Sequence, residues 1–227
     1  MLNHSTPSSF ATADDGEPAI SLQLQHPDSL PPAGELAKAM GLTAEFQLLK
    51  PRKVSRASYL SHSVLASGMV LKANGSVRSA IIALLHDVVE EGGETALAAL
   101  QGQFSESVCT AVAQMTPPVA DARLGWQERK ERGLDRMRAV TDLDVAMAFA
   151  ADKAATLHEL ELDCQHFGSF AVMSKLRGGC EELLWYYQSC WHALASKISP
   201  RMESLLRMHV EWLRQRVKAS PVIPREA

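Results

Sequence analysis

An imidazole and a carboxylate stand side by side at His86-Asp87, where the apolar run Ala80 to Leu85 ends. Beyond two valines come two further acids, Glu90 and Glu91. A mixed nitrogen and oxygen ligand set of this kind suits a first-row divalent cation. Sequence neighbours on a helix point about 100° apart, so His86 and Asp87 reach one ion only where the helix ends or the side chains lean together. Glu90 follows His86 by four residues and Asp87 by three, which puts it on the same helical face. The pattern is a metal site with a spare carboxylate beside it. A lone His-Asp dipeptide is common on protein surfaces, so the reading depends on ligands arriving from elsewhere in the chain.

Two distant segments offer them. His62, in Tyr59-Leu60-Ser61-His62, lies 24 residues before His86. Asp152, in Ala150-Ala151-Asp152-Lys153, lies 65 residues after Asp87, within another apolar helical run. A His, a His-Asp pair and an Asp spread over separate helices resemble the ligand set of the HD phosphohydrolase superfamily. Tyr-x-x-His, then Leu84 to Glu91, then Ala-Asp-Lys resembles the hydrolase domain of the RelA/SpoT group and of the small alarmone hydrolases. The stretches Trp126 to Lys130 and Glu181 to Tyr187 resemble stand-alone bacterial members of that set.

The resemblance implies an all-α HD-domain helical bundle with a metal site between its central helices. It implies His62, His86, Asp87 and Asp152 as metal ligands. It implies removal of the 3′-pyrophosphate of (p)ppGpp to give GDP or GTP. Glu90 and Glu91 take the place of the family's acidic pair, with Glu90 the candidate to hold or deprotonate the attacking water. Lys53, Arg56 and Lys130 are the cations expected near the nucleotide. Lys53 sits at the aligned basic position, nine residues before His62. Thr156 stands where the family has an Asn near the sugar. That substitution, and the departure of Arg52-Lys53-Val54-Ser55-Arg56 from the family's Arg-Lys-Ser-Gly-Glu-Pro, keep two alternatives open. One is an HD hydrolase of another phosphorylated nucleotide. The other is a non-catalytic nucleotide-binding HD module.

The chemistry follows from the ligand set. Two neutral imidazoles and two carboxylates neutralise a divalent ion and leave coordination positions open. A mostly hard, octahedral site favours Mn²⁺ over Zn²⁺, with Fe²⁺ and Co²⁺ also compatible. Such an ion lowers the pKa of its water from about 15.7 toward neutrality, so a metal-bound hydroxide becomes available. Phosphoryl transfer then needs charge stabilisation more than a covalent nucleophile.

The elements that must position these groups are helical. At 227 residues the chain fits one domain with appendages and can bury a sizeable core. A net charge of −3 argues against nucleic acid as partner. No apolar run is long enough to span a membrane, and no basic-then-apolar secretory start is visible. The four scattered cysteines read as free thiols, all four as small buried residues, in a reducing compartment, so a cytoplasmic protein is expected. Residues 1–32 read as a disordered tail, 33–198 as the hydrolase domain, and 199–227 as a C-terminal helix and tail.

Within the domain, Glu35 to Leu49 predicts one or two short helices interrupted at Gly41, and His62 to Leu71 a further helix. Asn74-Gly75 is a turn signal. Ser76 can cap a helix that is apolar all round, and hence central, and that Gly92-Gly93 should stop. Helices are expected over Glu94 to Phe104, Ser105 to Met115 and the charged stretch Trp126 to Val140. Asp142 or Asp144 should begin the helix that carries Asp152. A carboxylate in so apolar a stretch costs several kcal/mol if buried unpaired, which either a cation or Lys153 would relieve. Glu181 to Lys197 should close the core with Trp185, Tyr186, Trp191 and Leu194, and Glu203 to Val217 is amphipathic. No segment alternates as a strand would.

Overall fold

The computed structural model describes residues 32–175 and 179–219. Among them the fold is all-α, with one isolated β-bridge between Pro51 and Ser58. The helices in chain order are α1 (Pro32–Gln47), α2 (Leu60–Lys72), α3 (Val77–Leu85), α4 (Val88–Gln103), α5 (Glu106–Met115), α6 (Trp126–Ala139), α7 (Leu143–Phe167), α8 (Ser169–Met173), α9 (Cys180–Leu194) and α10 (Pro200–Ala219). No helix among the described residues is long and apolar enough to cross a membrane.

The 25-residue helix α7 is the spine, with α2, α3, α9 and α10 packed around it. The all-round apolar character of α3 has a direct cause, because that helix lies between two cores. Ala80, Ile82 and Ala83 face the larger core around α7. Ile81, Leu84 and Leu85 face a second core with Ala39, Leu42, Leu100 and Val112 from α1, α4 and α5. Each buried Leu or Ile contributes about 1.5–3 kcal/mol by leaving water.

Polar bonds at their starts set the register of α3 against α7. Ser76 caps α3 by accepting from Ser79 N, and its own hydroxyl donates to Asp144 Oδ1 at 2.6 Å. Asp142 caps α7 by accepting from the Asp144 and Val145 amides. Arg78 reaches both acids, at 2.9 Å from Asp142 Oδ2 and 2.9 Å from Asp144 Oδ2. The two helices therefore start together and run the same way. At 1.5 Å per residue, His86 and Asp152 lie about 10–12 Å further along the pair, at one level. Elsewhere, Lys197 Nζ donates to the carbonyls of Met137, Arg138 and Val140, tying down the C-terminal end of α6.

Several sequence expectations need correction. Helix α1 runs unbroken through Gly41, where nothing crowds the absent side chain. The helix capped by Ser76 ends at Leu85, not at Gly92-Gly93; His86 and Asp87 form the break, and α4 restarts at Val88. The glycine pair instead lies inside α4, which kinks at Gly93 (φ 61°, ψ −144°). Gly92 is needed for another reason: a Cβ there would lie 2.5 Å from Phe46 Cδ1 on α1 and 2.4 Å from Ala96 Cβ. Trp185 is exposed, because its neighbour Tyr186 takes the inward face of α9. Cys164 and Cys190 are buried, but Cys109 and Cys180 are only half-buried; all four are free. The expected disordered tail lies outside the described residues, save Pro32, which opens α1. Helix α10 contributes Met202, Leu206, Val210, Leu213 and Val217 to the same core as α7.

Candidate metal centre

Two helices and one helix break deliver the four sequence-predicted ligands. His62 is in the first turn of α2, His86 and Asp87 form the α3–α4 break, and Asp152 lies near the middle of α7. The break is what lets adjacent residues converge, since Asp87 (φ −100°, ψ 0°) leaves helical geometry. His86 Nε2 lies 3.0 Å from Asp87 Oδ2 and 3.7 Å from Asp152 Oδ1. His62 Nε2 lies 3.3 Å from the same Asp152 oxygen. Ligand atoms of His62, His86 and Asp87 all fall within 4.8 Å of one another.

Neighbouring groups hold three of the four predicted ligands in place. His86 Nδ1 faces the Ala83 carbonyl at 2.7 Å, and as the donor of that bond it leaves Nε2 with its lone pair directed at the carboxylates. Tyr59 donates to Asp87 Oδ2 at 3.0 Å. Lys153 donates to Asp152 Oδ2 at 2.6 Å. Thr156 donates to the Asp152 carbonyl at 3.0 Å and lies 3.4 Å from Asp152 Oδ1.

The arrangement fits a divalent cation. His86 Nε2 is buried and, despite its carboxylate neighbours, has no partner in hydrogen-bonding geometry among the described residues. His62, His86 and Asp87 group their ligand atoms, and Asp152 Oδ1 lies against both imidazoles, a mixed nitrogen and oxygen donor set that suits a small divalent cation. Electrostatics agree. Burial opposes ionisation of Asp152, but Lys153 and the two histidines hold its carboxyl well below the usual range. Burial likewise opposes charge on His86, yet Asp87 and Asp152 outweigh it, and the ring is pushed up to about 9 when a proton is the only cation available. A metal ion therefore displaces a proton on binding.

The remaining sequence-predicted site residues divide. Among the described residues Glu90 has no hydrogen-bond or ion-pair partner; partial burial and then the Asp87 and Glu91 charges raise its carboxyl above the usual value. Glu91 is instead engaged by Lys50, at 3.0 Å from its Oε2. Lys130 points its ammonium at the face of Tyr186, 4.4 Å from the ring centre, with Lys153 over the same ring at 5.9 Å. Burial, and then repulsion from Lys153, push Lys130 down to about 8. Lys53 and Arg56 are exposed and make no polar contact with the cluster; Arg56 sits at φ 62°, a turn position. Thr156 spends its hydroxyl on Asp152.

Sequence reasoning missed two residues. Arg52, beside the selected Lys53, ion-pairs with Glu159 and lies 4.9 Å over the Tyr59 ring. Glu159 also lies 3.2 Å from His62 Nδ1. A signal existed: Glu159 follows Asp152 by seven residues, two helical turns along the same face.

The HD-domain family profile matches residues 39–167, more than half of the chain. The chain belongs to the HD-domain family. HD domains bind divalent metals, and as a member the chain is a metal-dependent phosphohydrolase of the HD type. Two solved structures share the HD-domain fold. A metazoan ortholog of SpoT, which hydrolyzes ppGpp and plays a role in starvation responses, aligns at TM-score 0.67 and 19% identity, over 83% of this chain and 98% of that one. The protein lmo0812 from Listeria monocytogenes EGD-e aligns at TM-score 0.58 and 24% identity, over 68% of this chain and 99% of that one. At these identities the likeness establishes the fold alone. Among curated proteins no match is found.

Proposed function

We propose that this HD domain removes the 3′-pyrophosphate of (p)ppGpp, with His62, His86, Asp87 and Asp152 holding Mn²⁺. The observation that carries the reading is the convergence of those four side chains around the buried, unpartnered Nε2 of His86. The activity of the SpoT ortholog with the same fold supports the choice of substrate. A divalent cation bound there polarises a phosphoryl oxygen and makes water nucleophilic near neutral pH.

The chain's own residues do the rest. Glu90, without a bonded partner among the described residues, is the carboxylate able to take the proton from the attacking water. The water oxygen forms the new bond to phosphorus, the bond from phosphorus to the 3′ oxygen breaks, and that oxygen regains a proton. Lys130, held over Tyr186 and without a carboxylate partner among the described residues, offers a positive charge to the phosphates. Glu91 stiffens the wall through Lys50.

A second reading, hydrolysis of another phosphorylated nucleotide, is favoured by three side chains. Thr156 is committed to Asp152, and Lys53 and Arg56 face solvent, so the positions expected to grip base and sugar are used differently. A panel of ppGpp, nucleoside monophosphates and nucleoside triphosphates with Mn²⁺ separates the two. Pyrophosphate released from ppGpp alone is the expected result. Phosphate released from monophosphates would replace the first reading by the second. Metal and nucleotide binding without turnover on any of them would make the chain a non-catalytic binding module.

A further inference from the structure

His62 is 2% exposed and uses both ring nitrogens on acids from one helix. Nε2 faces Asp152 at 3.3 Å, and Nδ1 faces Glu159 Oε2 at 3.2 Å. The Glu159 contact has a hydrogen bond's length but not yet its angle, and Nδ1 has no other partner among the described residues. A small rotation of the ring or the carboxylate closes it. Glu159 is not free to turn elsewhere, because Arg52 pairs with the same Oε2.

Arg52 in turn is fixed by the segment that carries it. Its amide donates to the Ala57 carbonyl at 2.7 Å, the Tyr59 amide donates to the Lys50 carbonyl at 2.7 Å, and Pro51 bridges Ser58. Its guanidinium covers Tyr59, whose hydroxyl holds Asp87. Residues 50–59 thus reach the metal ligands by two routes, through Tyr59 to Asp87 and through Arg52 and Glu159 to His62.

We infer that Glu159 is a positioning residue for His62: it fixes the ring as the Nδ1–H tautomer, with the Nε2 lone pair turned to the metal, and Arg52 keeps Glu159 in place. The inference rests on the metal-centre reading above. Its physical basis is general. A ligating imidazole binds through one nitrogen, and the hydrogen bond made by the other decides which nitrogen that is.

Metal affinity of the full chain, measured by competition against a fluorescent chelator with Mn²⁺ and with Zn²⁺, tests it. Glu159→Ala should weaken binding by about 10–100-fold, the usual cost of losing such a partner. Glu159→Gln should recover most of that, because its amide oxygen still accepts from Nδ1–H. Arg52→Met should lose less than Glu159→Ala. In long-range ¹H–¹⁵N spectra of the Zn²⁺-loaded protein, His62 should show a protonated Nδ1, sheltered from exchange in the wild type and exposed in Glu159→Ala. A Glu159 that merely pairs with Arg52 would lower thermal stability in Glu159→Ala and Arg52→Met alike and leave affinity and spectrum unchanged, which would overturn the inference. Unchanged affinity in Arg52→Met alone would remove Arg52's part. His62→Ala is the reference: if it binds metal as wild type does, the metal-centre reading falls; if it does not while Glu159→Ala does, only the role of Glu159 falls.

Discussion

Helices α3 and α7 meet through polar groups at two levels, and the levels are built differently. At the lower one, Ser76, Arg78 and Ser79 from the α3 side meet Asp142 and Asp144 from the α7 side. Arg78 reaches both carboxylates there, the serine hydroxyls take up more of their oxygens, and the caps of both helices are satisfied within the group. At the upper one, His86, Asp87 and Asp152 meet with His62, and two buried imidazole nitrogens, His86 Nε2 and His62 Nδ1, have no hydrogen bond among the described residues. Both levels gather acids and cations at similar distances. What separates them is closure. The lower cluster completes itself, and the upper one is complete only with a charge from outside the chain. A count of ionisable groups would not tell them apart; a count of unsatisfied ones does.

The contrast is sharpest under substitution. His86→Ala should abolish metal binding and hydrolysis together, read by elemental analysis and by product release, with helix content preserved. Glu90→Gln should keep the metal and lower kcat by about 10²–10⁴-fold, the usual contribution of a general base. Retention of full kcat would remove Glu90 from the chemistry. Arg78→Met should do the reverse of both. It should cost about 1.5–3 kcal/mol of stability in denaturant unfolding, the worth of charge-assisted hydrogen bonds, while metal affinity and kcat per folded molecule stay as in wild type. A loss of metal in Arg78→Met would mean that the two levels are not separable.

The smallest effect is on acid stability. The hydrogen bond from Arg78 holds the Asp142 carboxyl below its ordinary value, against a weaker opposing effect of burial. A depressed carboxyl stabilises the fold above its unfolded pKa of about 3.9 and loses that contribution as pH falls through the lower folded value. The stability gap between wild type and Arg78→Met should therefore narrow below about pH 4. A gap that stayed constant through that range would assign the cost of the substitution to lost packing instead.

The lower level was partly legible in the sequence, since Ser76 before an apolar run and Asp142 before another are capping signals. The pairing of Arg78 with both acids was not, because nothing in a local pattern says which helices start side by side. At the upper level the residue types were legible and the backbone was not. His86-Asp87 was placed inside a helix stopped by two glycines, whereas the chain breaks at the pair itself. Apolar periodicity continues through Val88 and hides that break, because Val88 is as buried as Leu85. The supporting residues were hardest to see. Tyr59, three before His62, and Glu159, seven after Asp152, sit at helical spacings from proposed ligands, yet Tyr59 is used across the fold by Asp87 and Glu159 is held by Arg52 arriving from a loop.

Gly92 gives the candidate base its geometry through what it lacks. Helix α4 carries Glu90 and Glu91 one or two residues before the point where it rests on the ring of Phe46, with no room for another carbon atom. A single methyl group at residue 92 would act as a shim between α1 and α4. It would tilt the wall that carries Glu90 while leaving the four proposed ligand side chains chemically intact, so the spacing proposed between ion and proton acceptor depends on the carbon that Gly92 omits.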